Sequence, residues 1–425
     1  MFACCSRLPW WPCILAGALA LRIVAAVAVQ HWVEKTPGRL CLIEGDAAGY
    51  WKLALHIEHG EDYAVYDPPR FVERMPGFPL VLAGAIKLCG SDLLRIRLLL
   101  AVLGTLACGL VYWLGRELVD PTAGLIACFL AAVSPIFIVF SVLLLSETVF
   151  AVTLLASLVA LTKLAQAPSM ALTGRARHRS IGMALSAGLL AGLATLVRPT
   201  WLLVAPAFSL VYVFTAPQPR QRFLLAVVLI AGLALALAPW TIRNYRVTGH
   251  FIPTTLWVGP SLYDGLSPQA TGESDMWFVE TEGWYAQRGN PEFEYEADRH
   301  YRRAAIEFVH AHPRRVIELA LEKLKRFINP FPNAGQFNHW VISVGVGLFE
   351  MPLLILAAVG LWQSRRERWT WLLAAGPVVY FGLVHMIFIG SVRYRLPAEY
   401  ALLVLTAVGC RWLWGKRLPR VQTLT

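Results

Sequence analysis

Charge is what this chain has least of. Only 15% of its 425 residues are Asp, Glu, Lys or Arg, against 57% hydrophobic. So few charges cannot cover a surface facing water, which excludes a soluble globular fold and leaves an integral membrane protein. A cysteine framework is missing too. Of the eight cysteines, Cys13, Cys89, Cys108, Cys128 and Cys410 fall in or beside apolar segments, and Cys41 alone lies in a long loop. That pattern argues against disulfides and against a zinc site. No glycine-rich phosphate loop follows a strand pattern, and no soluble domain is set up to bind a nucleotide sugar. No internal repeat is evident, which weighs against a transporter built from inverted halves.

What is present is a series of apolar runs long enough to cross a bilayer. Ten spans are expected, at 9–31, 93–115, 122–144, 148–166, 180–197, 199–215, 223–241, 341–362, 369–390 and 398–414. The first is too long for a cleaved signal peptide and lacks its small-residue exit, so it is expected to be retained. The net charge of +11 then reads as topology, not as nucleic-acid binding. Basic loops recur on one side: Arg116; Arg175, Arg177 and Arg179; Arg220 and Arg222; Arg365, Arg366 and Arg368; Lys416, Arg417 and Arg420. Both termini are therefore expected in the cytoplasm, and the intervening loops outside, as in a multi-pass protein of a bacterial plasma membrane. The segment Pro79–Gly90 is too short to span and is expected as a juxtamembrane or re-entrant helix.

Three regions follow: a membrane module over 1–241 with an outer loop at about 32–78, an extracytoplasmic loop over 242–340, and further spans over 341–425. In the first loop Tyr50, Leu53, Ala54 and Ile57 follow helical spacing, which predicts an amphipathic helix over Ala47–His59. Late in the second loop Val316, Leu319, Ala320, Leu324 and Phe327 share one face, with Glu318, Glu322, Lys323 and Lys325 elsewhere. Such a helix suits the headgroup layer. Pro313 separates it from the helix before it.

The candidate chemistry gathers on the outer face. Asp46 opens the predicted first-loop helix and suits a general base; it equally suits an N-cap. Glu44 is close enough in sequence to share the work. Glu147 lies in an apolar stretch, where an ionisable group is either functional or marks a turn between spans. Arg74, Arg198, Arg243, Arg393 and Arg395 lie on the same face, against the positive-inside trend. Guanidinium groups match phosphate through paired hydrogen bonds; the bland alternative is anchoring to headgroups. Arg22, within the first span, is expected to pair inside the bundle or to snorkel. His56 and His59 are spaced for a metal, but no third ligand is apparent. Trp257, Trp277 and Trp284 suit either sugar stacking or interfacial anchoring.

These residues resemble the C-type, multi-spanning glycosyltransferases, the group related to protein O-mannosyltransferases and to the aminoarabinose transferase acting on lipid A. The resemblance rests on Gly45-Asp46-Ala47-Ala48-Gly49-Tyr50-Trp51-Lys52-Leu53-Ala54 and Arg74-Met75-Pro76-Gly77-Phe78-Pro79. It continues through Tyr112-Trp113-Leu114-Gly115-Arg116, Ser134-Pro135, Ser146-Glu147 and Arg198-Pro199-Thr200. It closes with Arg243-Asn244-Tyr245, Gly249 and Arg393-Tyr394-Arg395-Leu396-Pro397. Each mark is weak alone; their order along almost the whole chain is specific for the superfamily and silent on the sugar.

The resemblance implies an all-α membrane fold and a polyprenyl-phosphate sugar donor used on the extracytoplasmic face, with membrane lipid around it. Asp46 looks like the first-loop catalytic acid and Glu147 like the second acid. Arg74 looks like the basic residue near the donor phosphate, with Tyr50, Arg198, Arg243, Arg393, Tyr394 and Arg395 as further donor-binding candidates. The acceptor is expected to be a glycolipid, glycan or protein. No cofactor is expected, with a divalent metal left open, and no nucleic acid. The larger relatives carry a C-terminal soluble domain, whereas this sequence ends soon after its tenth expected span; acceptor recognition is therefore assigned to the 242–340 loop. Two alternatives stand: a ligase or polymerase moving a glycan from a lipid diphosphate, and a non-enzymatic lipid flippase or transporter. The second would need polar residues through the middle of several spans, and apart from Arg22 the span centres are apolar.

Overall fold

The computed structural model describes residues 10–36, 39, 41, 43, 45–167, 174–215, 219–287, 292–331 and 340–415. Glu44 and the basic run Lys416, Arg417 and Arg420 lie outside these residues. The chain is all-α. In order the helices are α1 (Trp10–Glu34), α2 (Asp46–His59), α3 (Gly77–Cys89), α4 (Leu93–Leu118), α5 (Pro121–Val133), α6 (Pro135–Phe140), α7 (Glu147–Gln166), α8 (Gly174–Val197) and α9 (Val204–Phe214). They continue with α10 (Pro219–Thr248), α11 (Val258–Gly265), α12 (Trp277–Thr281), α13 (Phe293–Ala311), α14 (Pro313–Ile328), α15 (Trp340–Gln363), α16 (Arg368–Ala374), α17 (Gly376–Ile387) and α18 (Val392–Leu413). Among the described residues the one extended pairing is an antiparallel bridge between Val65 and Arg70.

Local sequence explains where many helices start. Asp92 accepts a hydrogen bond from the Arg95 N–H at 2.9 Å and starts α4. Asp120 does the same from Ala123 at 2.9 Å, with Pro121 in the first turn of α5. Gly60, at φ 72°, ends α2 by turning its N–H back to the carbonyls of His56 and Ile57.

Among the described residues seven helices are long and apolar enough to cross a membrane: α1, α4, α7, α8, α10, α15 and α18. The helices α16 and α17 pass the same test only as a pair, and they are bent by 46° at the break between them. The expected spans at 122–144 and 199–215 are built differently. The first is α5 and the six-residue α6, divided at Ser134-Pro135, because proline cannot continue the hydrogen-bond ladder of the preceding turn. The second is a 3-10 turn, Pro199–Trp201, followed by the 11-residue α9. α3, with 13 residues, is short, as its length in the sequence implies.

The bundle has two distinct ends. At one, Arg411 pairs with Asp120, Thr370 Oγ1 donates to the Leu118 carbonyl at 3.1 Å, and Gln166 donates to the Glu117 carbonyl at 2.6 Å. At the other lie α2, the starts of α7 and α18, and the loop helices α11 to α14. α14 docks differently from its sequence pattern. Lys323, expected on the polar side, is fully buried and donates to the Ile387 carbonyl at 2.7 Å. Leu319 and Phe327 are buried beside it, while Ile317, Leu321 and Ile328 are exposed. Docking onto α17 and α18 has won over a simple amphipathic split, because the buried ammonium finds carbonyl acceptors there.

The loop between α2 and α3 is latched to α13. Glu294, at the start of α13, accepts from the Phe71 and Val72 N–H groups, each at 2.9 Å. Burial pushes its carboxyl up to about 7, against the opposing pull of those two donors and of Arg70. With a folded value above the ordinary one near 4.3, the fold retains a proton that the unfolded chain releases. This contribution to stability is full below about pH 4 and is lost as pH rises through about 7. The melting temperature of the purified protein is therefore expected to fall by a few degrees between pH 5 and pH 8, and this slope should flatten in Glu294→Gln; an unchanged slope would count against the latch.

Candidate active site

Asp46 is the first residue of α2, not its cap. Gly45, at φ 75°, occupies the cap position, and no side chain caps the helix. The Asp46 carboxylate instead turns toward two arginines. Oδ1 accepts from Arg74 Nη1 at 2.9 Å, and Oδ2 accepts from Arg393 Nη1 at 2.9 Å. Arg393 Nε donates onward to Glu147 Oε1. The same Glu147 oxygen accepts from Arg198 Nη2 at 2.7 Å, and Arg198 Nε donates to Ser146 Oγ at 3.0 Å. One alternating chain results: Arg74, Asp46, Arg393, Glu147, Arg198. It joins α2, the loop after it, α18, α7 and the turn after α8. Three guanidiniums against two carboxylates leave a surplus positive charge, which suits an anionic ligand.

Each member is placed by its surroundings. A Cβ at Gly49 would stand 3.1 Å from Arg74 Nε, so glycine makes room for that guanidinium beside α2. Tyr50 lies under it, 4.9 Å from ring centroid to guanidinium carbon. Gly77 lets α3 approach the end of α8, where a Cβ would meet the Leu196 carbonyl at 2.7 Å. Ser391 accepts from the Arg393 N–H at 3.4 Å and starts α18 just there. Tyr394 stacks on His385 at 4.4 Å and faces Arg198 at 5.5 Å.

The Asp46 side chain is 40% exposed, whereas that of Glu147 is 3% exposed. The first therefore opens to an incoming molecule, and the second braces the arginines from behind. Burial among its neighbours would raise the Asp46 carboxyl, but Arg74 and Arg393 outweigh it and hold the group well below the usual carboxylate range. The Arg74 guanidinium is stabilised in turn: burial works against its charge, and Asp46 overcomes that.

Two candidates stand apart from this chain. Arg243 donates to the carbonyls of Phe71 at 2.6 Å and Tyr63 at 3.1 Å, and so clamps the backbone of the first loop. Arg395 is buried with Glu399 and donates to the carbonyls of Phe327 at 2.6 Å and Asn329 at 3.1 Å. Arg243 spends its Nη donors, and Arg395 its Nε and Nη1, on fixed protein acceptors, while Arg395 Nη2 is buried without a partner among the described residues. Arg22 does likewise within the bundle, on the carbonyls of Ala18, Ala131 and Ala132. His56 and His59 face Glu61 and Glu58, and among the described residues no group of three or more His, Cys, Asp or Glu side chains is placed to hold a metal. Trp284 stacks on His300, and Trp257 packs tilted against Tyr285, 5.4 Å between ring centroids.

Sequence reasoning missed two residues of the site. Tyr66 accepts from Arg74 Nη2 at 3.0 Å, has its backbone at φ 71°, and is 42% exposed. Glu73 is buried and pairs with Arg70 at 2.8 Å, 3.6 Å from Arg74 Nε. Its position next to Arg74 was a usable signal; nothing local marked Tyr66.

Fold and site together define a multi-spanning membrane protein with a carboxylate and an arginine cluster at one end of its bundle. The family model described as dolichyl-phosphate-mannose-protein mannosyltransferase matches residues 69–242. The fold is similar to that of the oligosaccharyltransferase AglB from the archaeon Archaeoglobus fulgidus, solved in complex with an inhibitory peptide and a dolichol-phosphate, with a TM-score of 0.61 at 17% identity over 96% of this chain and 50% of that one. The apo form of the Archaeoglobus fulgidus oligosaccharyltransferase gives 0.61 at 15% identity over 96% and 51%. This chain thus spans about half the length of those archaeal enzymes. ArnT from Cupriavidus metallidurans bound to undecaprenyl phosphate is more distant, with a TM-score of 0.42 at 15% identity over 95% and 77%. No curated protein matches the chain. The family match and the shared fold agree with the C-type glycosyltransferase resemblance seen in the sequence motifs.

Proposed function

We propose that this chain is a membrane glycosyltransferase that takes a sugar from a polyprenyl-phosphate carrier and passes it to an extracytoplasmic glycolipid, glycan or protein. The observation that carries the reading is the Asp46 carboxylate held between Arg74 and Arg393. The matched family's description, and the dolichol-phosphate in the similar AglB structure, support a lipid-phosphate donor.

Charge gives the order of events. With both Asp46 oxygens engaged, the carboxylate is a weak base. The donor phosphate competes for Arg74 and Arg393, and as it draws them away the Asp46 carboxyl rises toward its ordinary range. Asp46 then takes the proton from an acceptor hydroxyl or amine as that atom attacks the anomeric carbon. The bond from that carbon to the phosphate oxygen breaks on the opposite face, polyprenyl phosphate leaves, and the configuration inverts. The arginines stabilise the charge growing on the departing phosphate. Glu147 holds Arg393 and Arg198 in place through this exchange. The 242–340 loop, latched to the first loop by Glu294, is the acceptor side of the site.

Transfer of a whole glycan from a lipid diphosphate is a second reading, favoured by the similarity to AglB and by Arg198 as a further cation in the chain. Mass spectrometry of lipids and glycans from cells with and without the protein tests both. Loss of one sugar from a single acceptor class supports the first reading, loss of a whole glycan the second, and no change in either overturns both. The reading also places Asp46 outside a bacterial plasma membrane with both termini in the cytoplasm. Cysteines introduced at Gly60 and Glu367 should then react with impermeant reagent from opposite faces; reaction from one face would reject that topology.

A further inference from the structure

Away from the active centre, α15 and α18 enclose a small cavity beside the break between α5 and α6, with a volume of about 10 Å³. That is close to the room one water molecule needs. Two carboxylates line it, Glu350 of α15 and Glu399 of α18, which are 5% and 3% exposed. Among the described residues a single cation answers them. Arg395, one turn before Glu399, donates from Nε to Glu399 Oε1 at 2.5 Å. Glu399 Oε2 receives no hydrogen bond, and neither does the hydroxyl of Ser134, 1% exposed on the same cavity. The other buried arginine of this region, Arg22 of α1, spends its Nη donors on the carbonyls of Ala18, Ala131 and Ala132 and on Cys108 Sγ. Tyr400 of α18 is stacked on Phe137. Two negative charges thus face one positive charge inside the spans, where an unanswered charge is too costly to persist.

We propose that this cavity is a proton-binding site, in which Glu350 is held as the neutral acid and one water links it to Glu399 Oε2 and the Ser134 hydroxyl. A volume of about 10 Å³ has room for one water. Among the described residues no group of three or more His, Cys, Asp or Glu side chains is placed to hold a metal ion here, so a proton answers the second carboxylate. The bound proton also has a structural consequence. It leaves Arg395 to Glu399 and to the carbonyls of Phe327 and Asn329, which end α14. An ionised Glu350 competes for that guanidinium and loosens the long outer loop from α18, two residues from Arg393. The site stands independently of the reaction assigned above.

Infrared difference spectra and melting of the full chain in detergent test it. At neutral pH the parent shows a carboxylic-acid C=O band that is lost in Glu350→Gln. Glu350→Gln, the neutral isostere of the acid, keeps the melting temperature within about 2 °C of the parent, whereas Glu399→Gln, which strips Arg395 of its counter-charge, lowers it by about 5 °C or more. Overturning results are the absence of that band from the difference spectrum, or a loss in Glu350→Gln as large as in Glu399→Gln. A rise in melting temperature specific to sodium chloride over choline chloride also overturns it, because the ligand is then a metal ion.

Discussion

Asp46→Asn is expected to reduce sugar transfer by about 10²- to 10⁴-fold while leaving the protein folded in the membrane, the range that removal of a positioned general base spans. Asparagine has nearly the same shape and can still accept a hydrogen bond from one of the two arginines, so the site keeps its outline. What it loses is the ability to take a proton from the acceptor. The stability cost is expected to be small, roughly within 1 kcal/mol, because the side chain is 40% exposed and water screens its pairs with Arg74 and Arg393. Transfer by the purified variant, compared with its melting temperature, separates the two effects. A parental rate would remove Asp46 from the role of base. A large fall in melting temperature would instead mean that the ion-pair chain is needed for folding.

Much of this site is legible in the sequence, for identifiable reasons. Asp46 and α2 lie within one short segment whose apolar spacing is visible, and the helix ends at His59 where Gly60 supplies the turn. Glu147 was conspicuous because carboxylates are rare beside apolar runs. The function of the arginines was much less legible. Sequence places Arg74, Arg198, Arg243, Arg393 and Arg395 toward one face but says nothing of where each guanidinium points. Arg393 meets Asp46 across 347 positions of chain, and Arg243 meets the Phe71 carbonyl across 172. Only packing decides that one joins the ion-pair chain and the other clamps a loop. Arg393 and Arg395 show the same limit at short range: two residues apart on a helix they point in different directions, one to Asp46 and Glu147, the other to Glu399 and the end of α14. The broken segments had a visible cause in Pro135 and Pro199, yet hydropathy alone joined each into one span.

Arg393 is the sharper test of the mechanism, because it touches both carboxylates at once. Its Nε serves Glu147 and its Nη1 serves Asp46, so one planar group sets the spacing between the two acids. Arg393→Ala removes a donor for the leaving phosphate and is expected to lower kcat by about 10²- to 10³-fold, the cost typical of deleting one preorganised charge-stabilising donor. It also leaves Glu147, 3% exposed, with Arg198 as its remaining arginine, at a stability cost of about 1–3 kcal/mol. Arg393→Lys divides these effects. A lysine restores a positive charge near the phosphate but has no fork with which to hold Asp46 and Glu147 together. If Arg393 acts mainly as charge, lysine recovers most of kcat and the deficit moves to KM; if its geometry matters, lysine remains close to alanine in kcat. A parental kcat in Arg393→Ala would place the donor phosphate elsewhere, and Arg74 and Arg198 would then be the groups left to hold it.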